Sequence, residues 1–278
     1  MKAREMCKKL LILWAVLALL LLPAEPCLAQ MIVKLEPETV AEFDRYAKSV
    51  EAELAQRWEG KTHFTSIEDD PAAKRKVMDG EFLVRTATPD GKPQSITDGL
   101  IHDWVGTVFI PDTDAERVIS LLRNFDKHKK IYPEVADSKT LSQRDDETVG
   151  YWRIQERKGL VPVVLEIEQN AYYKNLAPDK WNCRAYARKI TEINTGPFSR
   201  GRPFPDGEGH GYMWRMYAYW SIQQTNGGVL AECRTLSLSR SIPQGIAWAV
   251  GPYVQKAPQE SLTSTLKQTR NATADSDH

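Results

Sequence analysis

The sequence predicts an α+β domain in which a curved antiparallel sheet wraps around a long C-terminal helix. Three observations predict this fold class. Six segments between residues 136 and 241 have the alternating apolar and polar pattern of strands, and short turns join most of them. No long helical segment separates these strands, so neighbours in the chain are expected to pair antiparallel. A long helical segment follows the last strand, from about residue 243 to residue 270.

The first 29 residues have the pattern of an export signal. Four basic residues precede an uninterrupted run of 13 apolar residues at positions 10–22. Cys27 and Ala29 place small residues at the −3 and −1 positions of a cleavage site before Gln30. Thirteen residues span about 20 Å as a helix, less than the ~30 Å hydrocarbon core, which disfavours the alternative of an uncleaved anchor. We therefore predict a periplasmic or secreted protein with no transmembrane anchor after cleavage.

The composition of the remaining chain excludes some function classes. Residues 30–278 carry 33 basic and 35 acidic residues, so no long-range attraction to nucleic acid is expected. Two cysteines remain, Cys183 and Cys233, on strands that we expect to be separated by a third strand. That separation exceeds the reach of a disulfide, so we predict two buried free thiols. The histidines are scattered and no Cys or His pair has ligand spacing, so no metal or cofactor is predicted.

Residues 30–97 are interpreted as an N-terminal helical and hairpin extension packed onto the rest of the chain. A helix is predicted over residues 36–58, because apolar residues recur there at spacings of three and four. A short strand is expected at 82–88 and a stronger one at 100–110. A helix at 114–125 comes next, and an irregular link at 126–135 leads to the next strand.

The strands of the meander are expected at 136–144, 148–158, 161–174, 180–193, 210–224 and 228–241. Pro252 and Pro258 fall inside the last helix, so a kink or a split is expected there. A polar tail at 271–278 ends the chain.

Each strand divides into two faces, because side chains alternate across a strand. One face is apolar and mixes large groups, such as Trp152 and Trp220, with small ones, such as Ala185 and Ala218. The other face is charged with scattered tyrosines, and Leu236 and Leu238 break its pattern. We expect the charged face to lie in solvent and the C-terminal helix to cover the apolar face. The small residues either admit the helix closely, giving a solid core, or leave a void for a ligand.

Three segments resemble the START-like (SRPBCC) superfamily of helix-grip proteins. The first is DWVGTVFIP at 103–111, followed by a helix through Leu121, Leu122 and Arg123. The second runs from FDKH at 125–128 through IYPEV at 131–135 to Ser138. The third is SRSIP at 239–243, which leads into the last helix, with PQESL at 258–262 further on.

This resemblance covers about residues 98–270, which it delimits as a START-like domain. The superfamily includes lipid-transfer START domains, the birch-pollen allergen type, polyketide cyclases and coenzyme Q-binding proteins. It implies a helix-grip fold with a hydrophobic ligand tunnel between the sheet and the C-terminal helix, which favours a void over a solid core.

The leading hypothesis is a carrier or binding protein for a hydrophobic small molecule or lipid. Its candidate ligand-binding residues are the large apolar groups expected beside the tunnel. They are Trp104, Trp152, Ile154, Leu165, Ile167, Trp214, Met216, Trp220, Trp248 and Tyr253.

Two other hypotheses stay open. An enzyme of the cyclase or hydrolase type would use the same tunnel and would need an inward general acid or base. His102 and His210 are the weak catalytic candidates, since both share the parity of the apolar face. A protein-interaction module would use the outer face instead. Its docking residues would be Tyr217, Tyr219, Arg184, Arg188 and Arg215.

Overall fold

The computed structural model describes residues 32–158, 161–196, 199–242 and 247–274. The predicted export signal lies outside these ranges and stays a prediction. Within them, no helix combines the length and the apolar character needed to cross a membrane. Residues 32 onwards form one compact unit.

The described residues form eleven strands and five α-helices. The strands are β1 (Val33–Lys34), β2 (Leu83–Thr86), β3 (Gln94–Ile96), β4 (Gly99–Pro111), β5 (Val135–Gln143), β6 (Glu147–Lys158), β7 (Val161–Ala177), β8 (Lys180–Glu192), β9 (Glu208–Gly209), β10 (Arg215–Thr225) and β11 (Gly228–Arg240). The helices are α1 (Pro37–Trp58), α2 (Pro71–Met78), α3 (Ala115–Arg123), α4 (Phe125–Ile131) and α5 (Ala247–Ala274). A 3-10 helix at Ser66–Asp69 precedes α2.

Nine strands form one antiparallel sheet in the order β2-β4-β11-β10-β8-β7-β6-β5, with β3 pairing along β4. The meander from β5 to β8 and the β10–β11 hairpin appear as predicted, because short turns join these strands. β1 and β9 form a separate two-stranded sheet. The curved sheet and the long C-terminal helix confirm the predicted helix-grip fold.

The strand register defines the two faces of the sheet. Gly106, Cys233, Trp220 and Cys183 lie opposite one another on β4, β11, β10 and β8. Directly opposed side chains share a face, so this row belongs to the face towards α5, which we call the inner face. β10 separates the two cysteines, and both are buried and unpaired. The prediction of two buried free thiols is confirmed.

The C-terminal half of α5 is seated directly on the inner face. A Cβ added to Gly106 would come within 2.6 Å of Leu266 Cδ1 and 3.0 Å of Leu262 Cγ. The ring of Phe125, at the start of α4, covers Gly150 even more closely, since an added Cβ would lie 1.9 Å from its Cδ1. Two glycines therefore let two helices approach the sheet at one end.

On β4, β10 and β11 the opposite, outer face is covered by α1, so the prediction that it lies in solvent is wrong there. Tyr172 on β7 and Arg188 on β8 stay exposed on the same face. Phe43, Ala47, Val50 and Leu54 form the buried stripe of α1. They pack against outer-face residues of β4, β10 and β11. These are Ile101, Tyr219, Leu236 and Leu238. Leu236 and Leu238 broke the charged pattern because they meet the apolar stripe of α1, which has to be buried.

The proposed docking surface on the outer face is covered as well. Tyr219 is only 1% exposed, and Phe43 contacts Tyr217 with ring centroids 5.2 Å apart. Arg184 lies over the Trp58 ring at 4.9 Å. The docking hypothesis is therefore contradicted for Tyr217, Tyr219 and Arg184, because the chain's own first helix takes the place of a partner. Arg188 on β8 is exposed, so its docking role stays a prediction.

A buried ionic network fixes α1 to the sheet. The Arg234 guanidinium donates to both carboxylate oxygens of Asp103, at 2.9 and 2.7 Å, and to Glu53 on α1 at 2.7 Å. The Tyr46 hydroxyl donates to Asp103 at 2.8 Å. Asp103 is fully buried, so the arginine supplies the charge partner that a carboxylate needs there.

One helical prediction needs correction, and of the kink or split expected in the last helix the split is excluded. Residues 125–131 form α4 rather than part of an irregular link. The burial of Phe125 over Gly150 and a bond between His128 Nε2 and the Leu121 carbonyl, at 3.1 Å, stabilise this short helix. The last helix is not split at Pro252 or Pro258, since α5 runs without interruption to Ala274.

Candidate ligand-binding site

The two halves of α5 differ in the space between the helix and the rest of the protein. At the C-terminal half, Leu262 and Leu266 leave no room for a methyl group on Gly106. Gly251, in the N-terminal half, is buried, yet no described atom lies within 4 Å of a Cβ placed there. The inner face is thus closed at one end of the helix, whereas beside Gly251 at the other end no atom of the described residues fills the position.

A group of apolar side chains lies on the inner face at the spacious end, and we call it the concave cluster. Its members come from β6, β7, β8 and the start of β10. They are Trp152, Ile154, Val163, Leu165, Ile167, Ala187, Ile190, Met213 and Met216. Leu165, Ile167 and Ala187 are buried, whereas the other six are only partly buried. Because these apolar groups on the inner face stay partly exposed, they form an incompletely packed core among the described residues.

The register explains how the concave cluster is built. Ile167 lies opposite Trp152, and Leu165 lies opposite Ile154, so four of its side chains form two cross-strand pairs. The Trp152 indole N–H donates to His128 Nδ1 at 3.0 Å, and its ring lies 5.3 Å from the ring of Phe125. Trp152 is thereby fixed on one side and presents its remaining surface to the cluster.

Five of the predicted ligand-binding residues meet in the concave cluster. They are Trp152, Ile154, Leu165, Ile167 and Met216. Trp220 lies in the packed core at the closed end, and the partly buried Trp104 borders it. Trp248 and Tyr253 lie on α5, but their side chains are outside the described part of the chain.

Trp214 does not lie with the others, because it packs into the outer-face core with Phe43 and Tyr219. Its assignment to the inner face assumed that β10 begins at residue 210. The strand begins at Arg215, and Gly209 and Gly211 before it have φ values of 143° and 71°. The alternation of side chains therefore does not extend back to Trp214.

Sequence reasoning left Ile190 and Met213 out of the site. A β-bulge shifts the β7–β8 register between Glu168 and Gln169, which brings Ile190 opposite Ile167 on the inner face. Met213 lies in the same irregular approach to β10 as Trp214. Strict alternation of side chains assigns neither residue to the correct face. The glycines at 209 and 211 are the sequence signal that the strand is interrupted.

His102 borders a cavity of about 160 Å³ between β4, the turn before β3 and α5. The side chains that line it include Lys92, Pro93, His102, Trp104, Lys256 and Gln259. His102 itself is 3% exposed, and burial lowers its pKa to about 4, so the imidazole is neutral near pH 7. Its Nε2 lies 3.0 Å from the Ser239 hydroxyl, while its Nδ1 has no hydrogen-bond partner among the described residues.

His210 forms a close pair with the buried carboxylate of Glu192. Glu192 accepts from the His210 backbone N–H at 3.0 and 3.1 Å and bonds to its Nδ1. Gly209 permits this approach, since a Cβ there would lie 2.9 Å from Glu192 Oε2. Glu192 lies opposite Leu165, so the pair stands at the border of the concave cluster. A carboxylate that holds one imidazole nitrogen leaves the other available for proton transfer.

A comparison with protein-family models finds no match, and a comparison with curated proteins finds none either. Similar solved structures include a STAR-related lipid transfer protein from Xanthomonas axonopodis, with 19% identity and a TM-score of 0.45, covering 66% of this chain and 98% of that one. A START superfamily protein from Mycobacterium smegmatis has 14% identity and a TM-score of 0.43, over 62% and 97% of the two chains. The ZhuI aromatase/cyclase from a Streptomyces species has 9% identity and a TM-score of 0.40, over 63% and 94%. These likenesses are too distant to assign the chain to a family or a function. The strand order and the C-terminal helix described above are by themselves a helix-grip arrangement.

Proposed function

We propose that the protein is an exported carrier or binding protein for a hydrophobic small molecule or lipid. The ligand would lie on the inner face, between the concave cluster and the N-terminal half of α5. The observation that carries the proposal is the contrast along α5: Gly106 has no room for a methyl group under Leu266, whereas Gly251 is buried with no described atom within 4 Å of an added Cβ.

The physical basis of binding is the burial of apolar surface. Six members of the concave cluster are only partly buried, so a ligand that covers them removes apolar area from water. Each square ångström so removed contributes about 25 cal/mol before the costs of ordering the ligand. The pairing of Trp152 with His128 fixes part of the binding surface before the ligand arrives, which reduces those costs.

Extraction of the purified protein with organic solvent, followed by mass spectrometry, tests whether it carries an apolar ligand. Titration with Nile red, an uncharged apolar dye, then measures the capacity of the site. A protein that yields no ligand and does not bind the dye would contradict the proposal.

Variants locate the site. Gly251→Leu fills the space beneath α5 and is expected to weaken dye binding at least about tenfold, because the added side chain occupies the ligand's volume. Met216→Gln is expected to weaken it by a smaller factor. Leu141→Gln is the matched control, since Leu141 is 41% exposed and lies outside the cluster. Equal affinity in all three variants would place the dye elsewhere.

A second candidate function is an enzyme that uses the same face, and the Glu192–His210 pair favours it. In that case His210 would act as a general base on a ligand lying across Leu165. His210→Ala would then abolish turnover of a p-nitrophenyl ester of a medium-chain fatty acid and leave Nile red affinity unchanged. The absence of turnover in the unaltered protein would count against this function and leave the carrier proposal standing.

A further inference from the structure

The connection between β8 and β10 borders the concave cluster on the inner face. Residues 203–211, which we call the connecting segment, lie in the chain between two cluster members, Ile190 and Met213. Glu192 on β8 lies opposite Leu165, so the buried Glu192 side chain is on the inner face beside the cluster. The course of the chain thus takes the connecting segment past one border of the candidate site.

Glu192 provides the first of two fastenings of the connecting segment. Its carboxylate accepts from the His210 backbone N–H at 3.0 and 3.1 Å and bonds to His210 Nδ1. The Phe204 N–H donates to the Glu192 carbonyl at 2.9 Å, and the buried Phe204 ring lies 5.2 Å from the His210 ring. Both ends of the connecting segment are therefore held against the end of β8.

The second fastening is the N-terminal strand β1, which pairs with β9 inside the connecting segment. Lys34 lies opposite Glu208 in this antiparallel ladder, and the Leu35 N–H donates to the Gly207 carbonyl at 2.8 Å. Among the described residues, β1 is the only strand that pairs with β9. A piece of the N-terminal extension thus holds a segment that borders the candidate site.

β1 is itself anchored on the outer face of the sheet. Val33 and Leu35 pack against the outer-face core that contains Trp214. The helix α1 follows β1 directly, and its Glu53 accepts from the buried Arg234 guanidinium at 2.7 Å. β1 therefore joins the connecting segment to a firmly packed part of the protein.

The β1–β9 ladder is much weaker than the pairing of the large sheet. β1 and β9 are two residues long, whereas β10 and β11 have 11 and 13 residues. Short ladders with few hydrogen bonds open at a lower free energy than long central strands. Gly207 and Gly211, with φ values of 73° and 71°, lie on either side of β9 and can absorb the change in backbone direction. The ladder can therefore open while the large sheet stays paired.

We propose that β1 is a strap that controls access to the concave cluster. The ligand enters and leaves when the β1–β9 ladder opens and the connecting segment moves away from Glu192. The inference rests on the proposed function, because it assumes an apolar ligand on the concave cluster. It adds the route to that site and a role for the start of the N-terminal extension.

A disulfide between β1 and β9 tests the strap. Lys34 and Glu208 form a non-hydrogen-bonded pair, since the next pair along the ladder carries the Leu35–Gly207 bond. The Cα atoms of such a pair are about 4.5 Å apart, within the range of a disulfide. Oxidation of the double variant Lys34→Cys/Glu208→Cys is expected to join only the new thiols, because Cys183 is buried and so is the other native cysteine.

Stopped-flow fluorescence then measures how fast Nile red binds and leaves. In the oxidised double variant both rates are expected to be at least about tenfold slower than in the same protein after reduction, since opening would limit them. The affinity is expected to stay within about twofold, because the site itself is unchanged. Equal rates before and after reduction would overturn the strap and leave the proposed function standing. Absence of Nile red binding by the unaltered protein would overturn both.

A second pair of variants tests the strap in the opposite direction and does not depend on the disulfide. Leu35→Pro removes the N–H that bonds to Gly207, whereas Leu35→Ala loses the same apolar side chain and keeps that N–H. Nile red is expected to bind and leave about fivefold faster in Leu35→Pro than in Leu35→Ala, the factor expected for one hydrogen bond. Equal rates in these two variants would contradict the strap.

Discussion

At the scale of single residues, Gly106 and Gly150 set how closely the helices approach the sheet. Gly150→Ala is expected to reduce the free energy of unfolding by about 1–3 kcal/mol, because the added methyl group would lie 1.9 Å from Phe125 Cδ1 and that ring is buried. Urea denaturation monitored by circular dichroism measures the change. Gly251→Ala is the matched control, since it is expected to be neutral or stabilising in a helix that has space beside it. Equal stability of Gly150→Ala and the parent protein would contradict the close packing of α4.

His128 makes stability depend on pH in a defined window. Burial lowers its pKa from 6.5 to about 4, so the unfolded chain takes up a proton between pH 6.5 and pH 4 that the folded protein does not. Above pH 6.5 His128 therefore does not reduce the free energy of unfolding. As the pH falls below 6.5 its protonation in the unfolded chain reduces that free energy, by about 3 kcal/mol in total. His102 acts in the same window and the same direction.

Urea denaturation of the parent and of His128→Leu between pH 7 and pH 4 checks this expectation. The variant is expected to be less stable at pH 7, since Trp152 loses its acceptor, but to lose less stability on acidification. Carboxyl groups with lowered pKa values, such as Glu53 and Glu68, lose their contribution only below about pH 4.5, outside most of this window. Parallel pH profiles for the two proteins would contradict the assignment.

At the scale of elements, the sequence predicted the strands better than it predicted their surroundings. Turns and alternation fix where a strand begins and which side chains share a face, and these are local properties. The position of α1 is not local. Its apolar stripe was visible at Phe43, Ala47 and Val50, but the surface that buries it comes from strands more than 50 residues away. Leu236 and Leu238 were the signal that such a surface existed.

The candidate site was predictable to a similar extent. Trp152, Ile154, Leu165 and Ile167 follow the regular alternation of β6 and β7, and they meet as expected. Trp214 and Ile190 lie next to a glycine-rich approach and a β-bulge, where the backbone departs from the period of two. The hydrogen bond between His102 and Ser239 joins residues 137 positions apart, so no local pattern could reveal it.

Since α1 completes the core on the outer face, it is expected to fold together with the sheet. Phe43→Ala is expected to reduce the free energy of unfolding by about 3–5 kcal/mol, because Phe43 is fully buried against Tyr217 and its neighbours. Lys48→Ala, at an exposed position of the same helix, is expected to change it by less than about 0.5 kcal/mol. Thermal denaturation with a single transition for both variants would support one cooperative unit. A separate early transition in Phe43→Ala would show that α1 unfolds alone.

At the scale of the whole molecule, the two faces of one sheet have different tasks. On β4, β10 and β11 the outer face is covered by the apolar stripe of α1 and contains the ion pair of Arg234 with Asp103, so this part of the face contributes stability. Among the described residues, the inner face is closed at the C-terminal half of α5, and no atom fills the position beside Gly251 at the other half. A sheet that is anchored on one side can leave part of its other side unfilled without losing the fold. The packing on the outer face thus stabilises the fold, and the unfilled part of the inner face is where the proposed carrier would hold its ligand.

The predicted cleavage and the two free thiols can be tested together by mass measurement. If cleavage occurs before Gln30, the mature protein loses Cys7 and Cys27 and keeps Cys183 and Cys233. Burial raises the pKa of the Cys183 thiol to about 12 and that of Cys233 well above its usual range, and β10 separates them. Both are expected to resist iodoacetamide in the native protein and to react fully after denaturation without reductant. Intact-mass measurement of the protein from the extracytoplasmic fraction is expected to match residues 30–278 with two alkylated cysteines. A mass that includes residues 1–29, or two cysteines that stay unreactive until reduced, would contradict the cleavage and the free thiols respectively.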